Sequence, residues 1–235
     1  MTDNNRNTKP AMSEKLMRSF GRVQGRKLSQ QQEWFVDNVL PKVAVDVQSD
    51  VDLNSLFDNK YNKFCIEIGF GKGEHLARYA KKNEDFGFIG CEPFINGVSR
   101  LLKYLHEEDV CNVRVLHGDA RLLLDELGDS SIDKIFILFP DPWPKAKHHK
   151  KRIISKEMLT LICRVLKKRG VLEVATDHVE YGQWIAEHLE EFDGLVKDRV
   201  SEIPPDDWVR TNYQAKAEKQ GRGATFFRYL NIVEK

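Results

Sequence analysis

Residues 63–83, KFCIEIGFGKGEHLARYAKKN, decide the fold of this chain. The first eight residues form a short apolar run of the kind that is typical of a buried strand. Glycines follow at Gly69, Gly71 and Gly73, and EHLARYAKKN then carries the spacing of a helix. A strand, a tight glycine turn and a helix in this order predict the first half of a βαβ unit.

The same alternation continues along the chain. Further strand-like segments are FGFIGCE (86–92), VRVLHGDA (113–120), IDKIFILFPDPW (132–143) and VLEVATDH (171–178). Helical segments separate them at 94–108, 121–128 and 154–170, and another follows at 179–191. We place Lys167, Lys168 and Arg169 in the last turn of the third of these helices, before a C-cap at Gly170.

This pattern predicts an α/β fold, doubly wound and Rossmann-like. Its sheet is mostly parallel, and the β-type run ATFFRYLNIV (224–233) adds an antiparallel C-terminal edge strand. We expect residues 1–28 to form a flexible basic N-terminal arm and residues 29–235 to form a single domain. Ser29 is the expected N-cap of a short helix that ends at Pro41, and 42–60 is an irregular lead-in.

Composition excludes several classes of protein. The chain has 235 residues, of which 41% are hydrophobic, so a wholly disordered chain is excluded. The 37 Lys and Arg residues nearly balance 36 Asp and Glu, so nucleic-acid binding requires local clusters of charge. No stretch approaches the roughly 20 apolar residues of a membrane helix, and no secretory signal is visible. We therefore expect a cytoplasmic protein without membrane contact.

The spacing of cysteines and histidines argues against a metal site. Cys65, Cys91, Cys111 and Cys163 lie far apart and form neither a CxxC nor a Cys/His ligand pattern. We expect them to be buried, reduced thiols. His148 and His149 are adjacent, and neighbouring residues seldom face one metal ion.

Acidic residues stand at the ends of successive predicted strands, where doubly wound sheets bind ligands. Glu92 follows the glycine turn by about 20 residues, the spacing of an acid that binds a ribose. Asp119 ends the next strand and could reach an adenine amine, and Glu67 lies within the first strand, where a carboxylate is costly unless it binds something. Each acid alone could equally be solvated or salt-bridged.

The glycine turn does not complete a dinucleotide fingerprint. Glu74 stands where the third glycine is expected, and an acid there disfavours a pyrophosphate at the helix N-terminus. A cofactor that has an adenosine, an ammonium and a sulfonium group but no phosphate suits the turn and the acids. We therefore predict S-adenosylmethionine, held at Glu67, Gly69, Gly71, Glu92 and Asp119.

The most specific stretch is FPDPWPKAKHHKKR, residues 139–152. Prolines on both sides of Asp141 fix φ and stiffen the turn. Residues 145–152, the basic segment, contain five firm cations and no acid, which predicts contacts with phosphates. Its predicted RNA-binding residues are Lys145, Lys147, His148, His149, Lys150, Lys151 and Arg152. A solvated loop is the alternative for this segment.

Two further polar segments follow. The fifth strand ends in Thr176 and Asp177, and TNYQ stands at 211–214 within a mixed helix near 209–220. Thr211 could instead be the ordinary cap of that helix.

From about residue 63 to residue 227 the chain resembles the bacterial tRNA (guanine-N7)-methyltransferase family, single-subunit enzymes that methylate a variable-loop guanosine of tRNA. EIGFGKGE, the Glu92-Pro93 strand end, HGDA, FPDPWPKAKHHKKR, ATDH and TNYQ appear in the family's order. The resemblance implies a class I, S-adenosylmethionine-dependent methyltransferase fold.

The resemblance also implies residue roles. Asp141 is the expected catalytic residue, and Glu67, Glu92, Asp119 and Asp141 are expected to hold the cofactor. Expected substrate contacts are Lys145, Asp177, Thr211, Asn212, Tyr213 and Gln214. The family pattern has an acid where this chain has Gln214, which keeps hydrogen-bonding reach but carries no charge.

The sequence leaves three rival functions open. They are a non-catalytic RNA-binding subunit with the same fold, a methyltransferase for another substrate, and a Rossmann dehydrogenase. The retained acids argue against the first, and Glu74 and the basic segment argue against the third. The sequence does not distinguish a monomer from a homodimer.

Overall fold

The computed structural model of the chain describes residues 25–47, 50–211, 214–215, 221 and 223–233. Residues 1–24 of the predicted arm, and Asn212 and Tyr213 of the predicted substrate segment, lie outside the described residues. No helix within those ranges is long and apolar enough to cross a lipid bilayer.

Seven strands form one sheet. Their bounds are β1 Lys63–Ile68, β2 Phe86–Cys91, β3 Val113–Leu116, β4 Ile132–Leu138, β5 Leu166–Thr176, β6 Leu195–Ser201 and β7 Thr225–Asn231. The strand order is β3-β2-β1-β4-β5-β7-β6. The first five strands pair in parallel, and β7 pairs antiparallel with both β5 and β6. The doubly wound, mostly parallel sheet with an antiparallel C-terminal strand is confirmed.

Helices cover both faces of this sheet. Their bounds are α1 Gln30–Asn38, α2 Leu40–Val43, α3 Leu53–Leu56, α4 Glu74–Lys82, α5 Ile95–Glu107, α6 Ala120–Glu126, α7 Lys156–Val165 and α8 Val179–Glu190, with a 3₁₀ helix at Ala146–Lys151. Helices α1, α4 and α5 pack on one face, and α3, α6, α7 and α8 pack on the other. The strand order reverses between β1 and β4, so a ligand crevice is expected at the carboxyl ends of these two strands.

The N-terminal helix begins as the sequence predicts. Ser29 Oγ accepts from the Gln32 N–H at 3.3 Å, and Gln32 Oε1 accepts from the Ser29 N–H at 3.0 Å, which forms a capping box. Pro41 does not simply end this helix, because it lies in the first turn of α2, where a missing N–H costs nothing. Just before α1, the Gly25 N–H donates to Asn96 Oδ1 on α5 at 3.1 Å.

The predicted C-terminus of the helix at 154–170 is wrong. Helix α7 ends at Val165, and Lys167, Lys168 and Arg169 belong to β5. The buried Asn231 side chain on β7 donates to the carbonyls of Cys163 at 3.1 Å and Leu166 at 2.8 Å. These bonds satisfy carbonyls at the helix end, so a residue far along the chain fixes the boundary that local charge mispredicted.

Two other expectations need correction. The sequence pattern does not predict strand β6, because five of its seven residues are exposed and its sequence LVKDRVS is mostly polar. Strand β6 occupies the edge of the sheet. The C-terminal strand β7 lies between β5 and β6, so its expected position at the edge is wrong. Cys65, Cys91 and Cys163 are buried as expected, whereas Cys111 is exposed, because it lies in the turn before β3 rather than in an element.

Candidate functional site

A cavity of about 890 Å³ opens at the carboxyl ends of the central strands. It lies at the reversal of strand order, between the turn after β1 and the turn after β4. Gly69, Gly71, Glu92, Asp119 and Asp141 all line it. The structure therefore brings five of the six predicted cofactor residues to one place.

The glycine turn supplies an open cradle. Gly69 and Gly71 have φ of +73° and +57°, a conformation that side chains disfavour, and nothing lies within 4 Å of where a Cβ would stand on either. On the other side of the turn, a Cβ on Gly97 would come within 2.1 Å of the Gly71 carbonyl oxygen. The turn is thus packed tightly against α5 from behind and is bare of side chains towards the cavity.

Glu92 is a buried carboxylate that connects two turns. Its Oε2 accepts from the Gly71 N–H at 2.8 Å, and its Oε1 accepts from the Phe94 N–H at 2.9 Å. Burial raises the pKa of Glu92, these two hydrogen bonds oppose the rise, and the charges of Asp141 and Glu67 add to it. A carboxylate has about four acceptor positions, so Glu92 retains capacity for a ligand.

Asp119 has partners within its own turn. Its Oδ1 accepts from the Arg121 backbone N–H at 3.0 Å and from the Arg121 Nε at 2.9 Å, and its Oδ2 accepts from the Arg121 Nη2. Asp119 is thereby the N-cap of α6. Both residues line the cavity, so any contact with a ligand there involves an ion pair rather than a lone carboxylate.

The turn after β4 carries Asp141 into the cavity. Asp141 is exposed and lines the cavity, and Phe139 and Trp143 on either side have φ of 52° and 42°. The Phe139 N–H donates to the Ala175 carbonyl at 2.7 Å, which fixes the start of the turn on β5. Prolines and positive φ values together set the direction in which Asp141 points.

The basic segment divides into two parts. Lys145, Lys147 and Lys150 are exposed and make no ion pair with other described residues, and Lys150 lines the cavity. Lys151 lies 4.5 Å from the centre of the Trp143 ring. Partial burial and the neighbouring lysines lower the pKa of His148, which favours a neutral imidazole.

Arg152 does not fit the predicted phosphate contact. Its side chain is fully buried, and its Nη2 donates to Glu180 Oε1 at 2.8 Å. Its Nε donates to the Pro142 carbonyl at 2.9 Å. A cation that is committed to internal partners and shielded from solvent has no reach to an RNA backbone. His149 also faces inwards, with its ring 5.3 Å from Trp184.

Glu67 lies behind the cavity rather than on its wall. It is buried, and its Oε2 lies 2.7 Å from His75 Nδ1. The His75 ring stacks on Tyr79 and is 5.2 Å from the Trp208 ring. The contact with His75 on α4 thus offsets the free-energy cost of burying the Glu67 carboxylate. A contact of Glu67 with the cofactor stays a prediction.

The predicted substrate segment is only partly described. Thr211 Oγ1 accepts from the Gln214 N–H at 3.2 Å, which is the capping geometry that the sequence left as an alternative. Gln214 is buried, and its Oε1 accepts from the Trp208 indole at 2.6 Å. The Trp208 ring lies 6.4 Å from Phe139, which connects this segment to the turn that carries Asp141. Asp177 follows β5 directly and is half-buried.

Sequence reasoning missed the apolar wall of the cavity. Phe94, Met158, Leu161 and Trp184 contribute to it. Phe94 was visible two residues after Glu92, but the other three lie on helices, where apolar residues at helical spacing also indicate ordinary core.

Comparisons with known proteins identify relatives of this chain. A family model described as "Putative methyltransferase" matches residues 61–227. A tRNA (guanine-N(7)-)-methyltransferase of Zymomonas mobilis is 38% identical, and the match covers 92% of this chain and 95% of that protein. One of Paramagnetospirillum magneticum is 40% identical over 90% and 92% of the two chains.

Solved structures share the fold at low identity. The 16S rRNA methyltransferase KamB superposes with a TM-score of 0.59 at 14% identity and covers 79% of this chain and 96% of its own. A 30S ribosomal A1408 methyltransferase from an uncultured bacterium gives 0.52 at 19%, over 78% and 96%. Given the family model and the relatives of matching length, the chain belongs to the tRNA (guanine-N(7)-)-methyltransferase family.

Proposed function

We propose that this protein transfers a methyl group from S-adenosylmethionine to N7 of a guanosine in tRNA. The observation that carries the proposal is the convergence on one cavity of a bare glycine turn, the buried Glu92, Asp141 and a lysine of the basic segment. The family and the names of its members support this substrate and this nucleotide.

The described residues fit the cofactor. The turn at Gly69 and Gly71 leaves open space, and Glu92 retains acceptor positions that suit ribose hydroxyls. A cavity of about 890 Å³ falls within the roughly 300–1,000 Å³ range of small-molecule sites. When bound, S-adenosylmethionine supplies a methyl group that is activated by a sulfonium.

The acceptor needs alignment more than it needs a base. Guanine N7 carries a lone pair in the ring plane and has no proton to lose. The rate therefore depends mainly on holding N7 in line with the methyl group. We assign this alignment to Asp141, because its carboxylate accepts from the polar edge of the base and offsets the positive charge that develops on the ring.

The basic segment suits the rest of the tRNA. Exposed and unpaired among the described residues, Lys145, Lys147 and Lys150 can contact phosphates and position the RNA without reading its sequence. N7 lies in the deep, narrow major groove of A-form RNA, so the target base must be exposed or displaced. We further propose that Asp177 and residues 211–214 contact the substrate beside this opening.

The direct test is incubation of the protein with labelled S-adenosylmethionine and bulk tRNA, followed by nucleoside analysis. We expect label in 7-methylguanosine. Label in another nucleoside, or in protein, would replace the proposed acceptor. Absence of both cofactor binding in calorimetry and labelled product would instead favour a non-catalytic RNA-binding role.

Asp141→Asn tests the role of the carboxylate. We expect kcat to fall by about 100-fold, since a lost electrostatic contact to developing charge has that magnitude, while the KM for tRNA changes little. Asp37→Asn, at an exposed acid on α1, is the matched control. Wild-type kcat in Asp141→Asn would remove Asp141 from the mechanism.

A further inference from the structure

Arg152 is a cation whose position contradicts its sequence context. It follows the exposed Lys145, Lys147 and Lys150, yet no part of its side chain is exposed. The guanidinium lies 5.0 Å from the Tyr181 ring and 4.7 Å from the Trp184 ring, both on α8. It therefore belongs to the packing of α8 rather than to the surface of the basic segment.

Two directed hydrogen bonds leave this guanidinium in different directions. Nε donates to the carbonyl of Pro142, the residue next to Asp141, at 2.9 Å. Nη2 donates to Glu180 in the first turn of α8, at 2.8 Å. Arg152 thus connects the turn after β4 to a rigid helix through a planar group with fixed donor directions.

The turn needs such external support. Phe139 and Trp143 both have positive φ, which costs about 1–3 kcal/mol for each residue that is not glycine. Conformations of this kind persist only where the surroundings hold them. The Phe139 N–H is fixed to Ala175 on one side of Asp141, and the Pro142 carbonyl is fixed by Arg152 on the other.

We propose that Arg152 is a positioning residue, which holds the Asp141 turn against α8 so that the carboxylate faces the cavity. The proposal rests on the proposed methyl transfer, because it assigns to Arg152 the alignment that this reaction requires. It also separates Arg152 from the lysines before it: the lysines bind RNA, and Arg152 orients the group that acts on the base. A misplacement of about 1 Å can cost about 100-fold in rate.

The kinetic test compares two neighbouring cations. In Arg152→Met, which keeps most of the volume but no donor, we expect kcat to fall by about 100-fold, with an unchanged dependence of the tRNA KM on salt. In Lys150→Met, we expect the slope of log KM against log salt to fall by about one and the main effect to be on KM. Arg152→Lys, which can keep one of the two bonds, should recover part of kcat.

Wild-type kcat in Arg152→Met, or a flattened salt slope like that of Lys150→Met, would overturn the proposal. Should Arg152→Met fail to fold, Glu180→Leu tests the same link from its half-exposed partner. We expect kcat to fall by about tenfold there, because Arg152 then loses its hydrogen bond to α8 and keeps only its contacts with the Tyr181 and Trp184 rings. An unchanged kcat in Glu180→Leu would count equally against the proposal.

A readout that needs no activity separates this proposal from the proposed function. Exchange of the amide hydrogens of Phe139, Asp141, Trp143 and Lys145 should be about tenfold faster in Arg152→Met than in the wild type, with unchanged exchange in β1. Unchanged exchange together with normal 7-methylguanosine formation would refute the positioning role alone. Faster exchange in a protein whose wild type methylates no tRNA would refute the methyl transfer and leave the structural link intact.

Discussion

Two groups of cations in this molecule have opposite surroundings. Lys134 on β4 is buried, and its Nζ lies 3.0 Å from Glu173 and 3.3 Å from Asp207. Arg228 on β7 pairs with the same Glu173 at 3.0 Å. Lys134 and Glu173 are buried, whereas the side chains of Asp207 and Arg228 are partly exposed. We call these four residues the Lys134 ion cluster. In the basic segment, by contrast, the exposed lysines have no acidic partner among the described residues.

The comparison shows that the number of cations does not decide their role. The acids that balance Lys134 come from β5 and from residue 207, at sequence distances that no local pattern reveals. A cation that forms ion pairs with such acids stabilises the fold. A cation without an acidic partner can bind a ligand. Arg152 belongs with the first group, although Lys145, Lys147 and Lys150, which precede it closely in the sequence, belong to the second.

The largest effect on stability is expected when the Lys134 ion cluster loses its buried lysine. Lys134→Met leaves Glu173 and Asp207 short of a partner, so the free energy of unfolding should fall by about 3 kcal/mol. Lys103→Met, at an exposed ion pair with Glu107 on α5, should cost less than about 0.5 kcal/mol. Urea denaturation of both variants checks the difference, and equal losses would break the distinction between the two groups.

Charge reversal in the basic segment tests whether its exposed lysines bind tRNA. Lys147→Glu with Lys150→Glu should raise the KM for tRNA by about tenfold and lower the salt slope by about two, with the fold unchanged. Lys42→Glu with Lys81→Glu makes the same charge change at exposed positions away from the cavity. If both pairs reduce tRNA affinity alike, binding depends on overall charge and not on this segment.

The smallest expected effect depends on pH. Burial acts to raise the pKa of Asp207, but the Tyr79 hydroxyl at 2.7 Å and Lys134 lower it below 3.8. A depressed pKa in the folded state stabilises the fold above the unfolded pKa, and the gain is lost as the pH falls through the folded pKa. Asp207→Asn should therefore cost about 1 kcal/mol at pH 7 and less near pH 3.

Urea denaturation of the wild type and Asp207→Asn at the two pH values checks this. A difference that stays constant with pH would assign the effect to packing rather than to charge.

Much of the fold could be predicted from the sequence because its signals are local. Apolar runs, glycine turns and helical spacing fixed the order of β1 to β4 and their helices, and the strand-end residues Glu92, Asp119 and Asp141 meet at one cavity as predicted. Parallel strands make such convergence follow from sequence order alone.

The rest depended on contacts between distant residues. The burial of Arg152 requires Glu180 and two aromatic rings of α8, which are not deducible from a run of lysines. A carboxylate inside a strand needs a partner, and for Glu67 the structure shows His75 in that place, while a contact with the cofactor stays a prediction. The sequence indicates that the Glu67 carboxylate requires a partner, but it does not identify which residue that partner is.

The end of α7 has a consequence for how the protein folds. Its local sequence favours a longer helix through Lys167 and Lys168, whereas the native boundary requires the Asn231 amide from β7. Before β7 pairs with β5, the local sequence after Val165 therefore favours an additional, non-native turn of helix. We therefore expect the α7–β5 junction to mature late, as a point of local frustration that long-range strand pairing has to resolve.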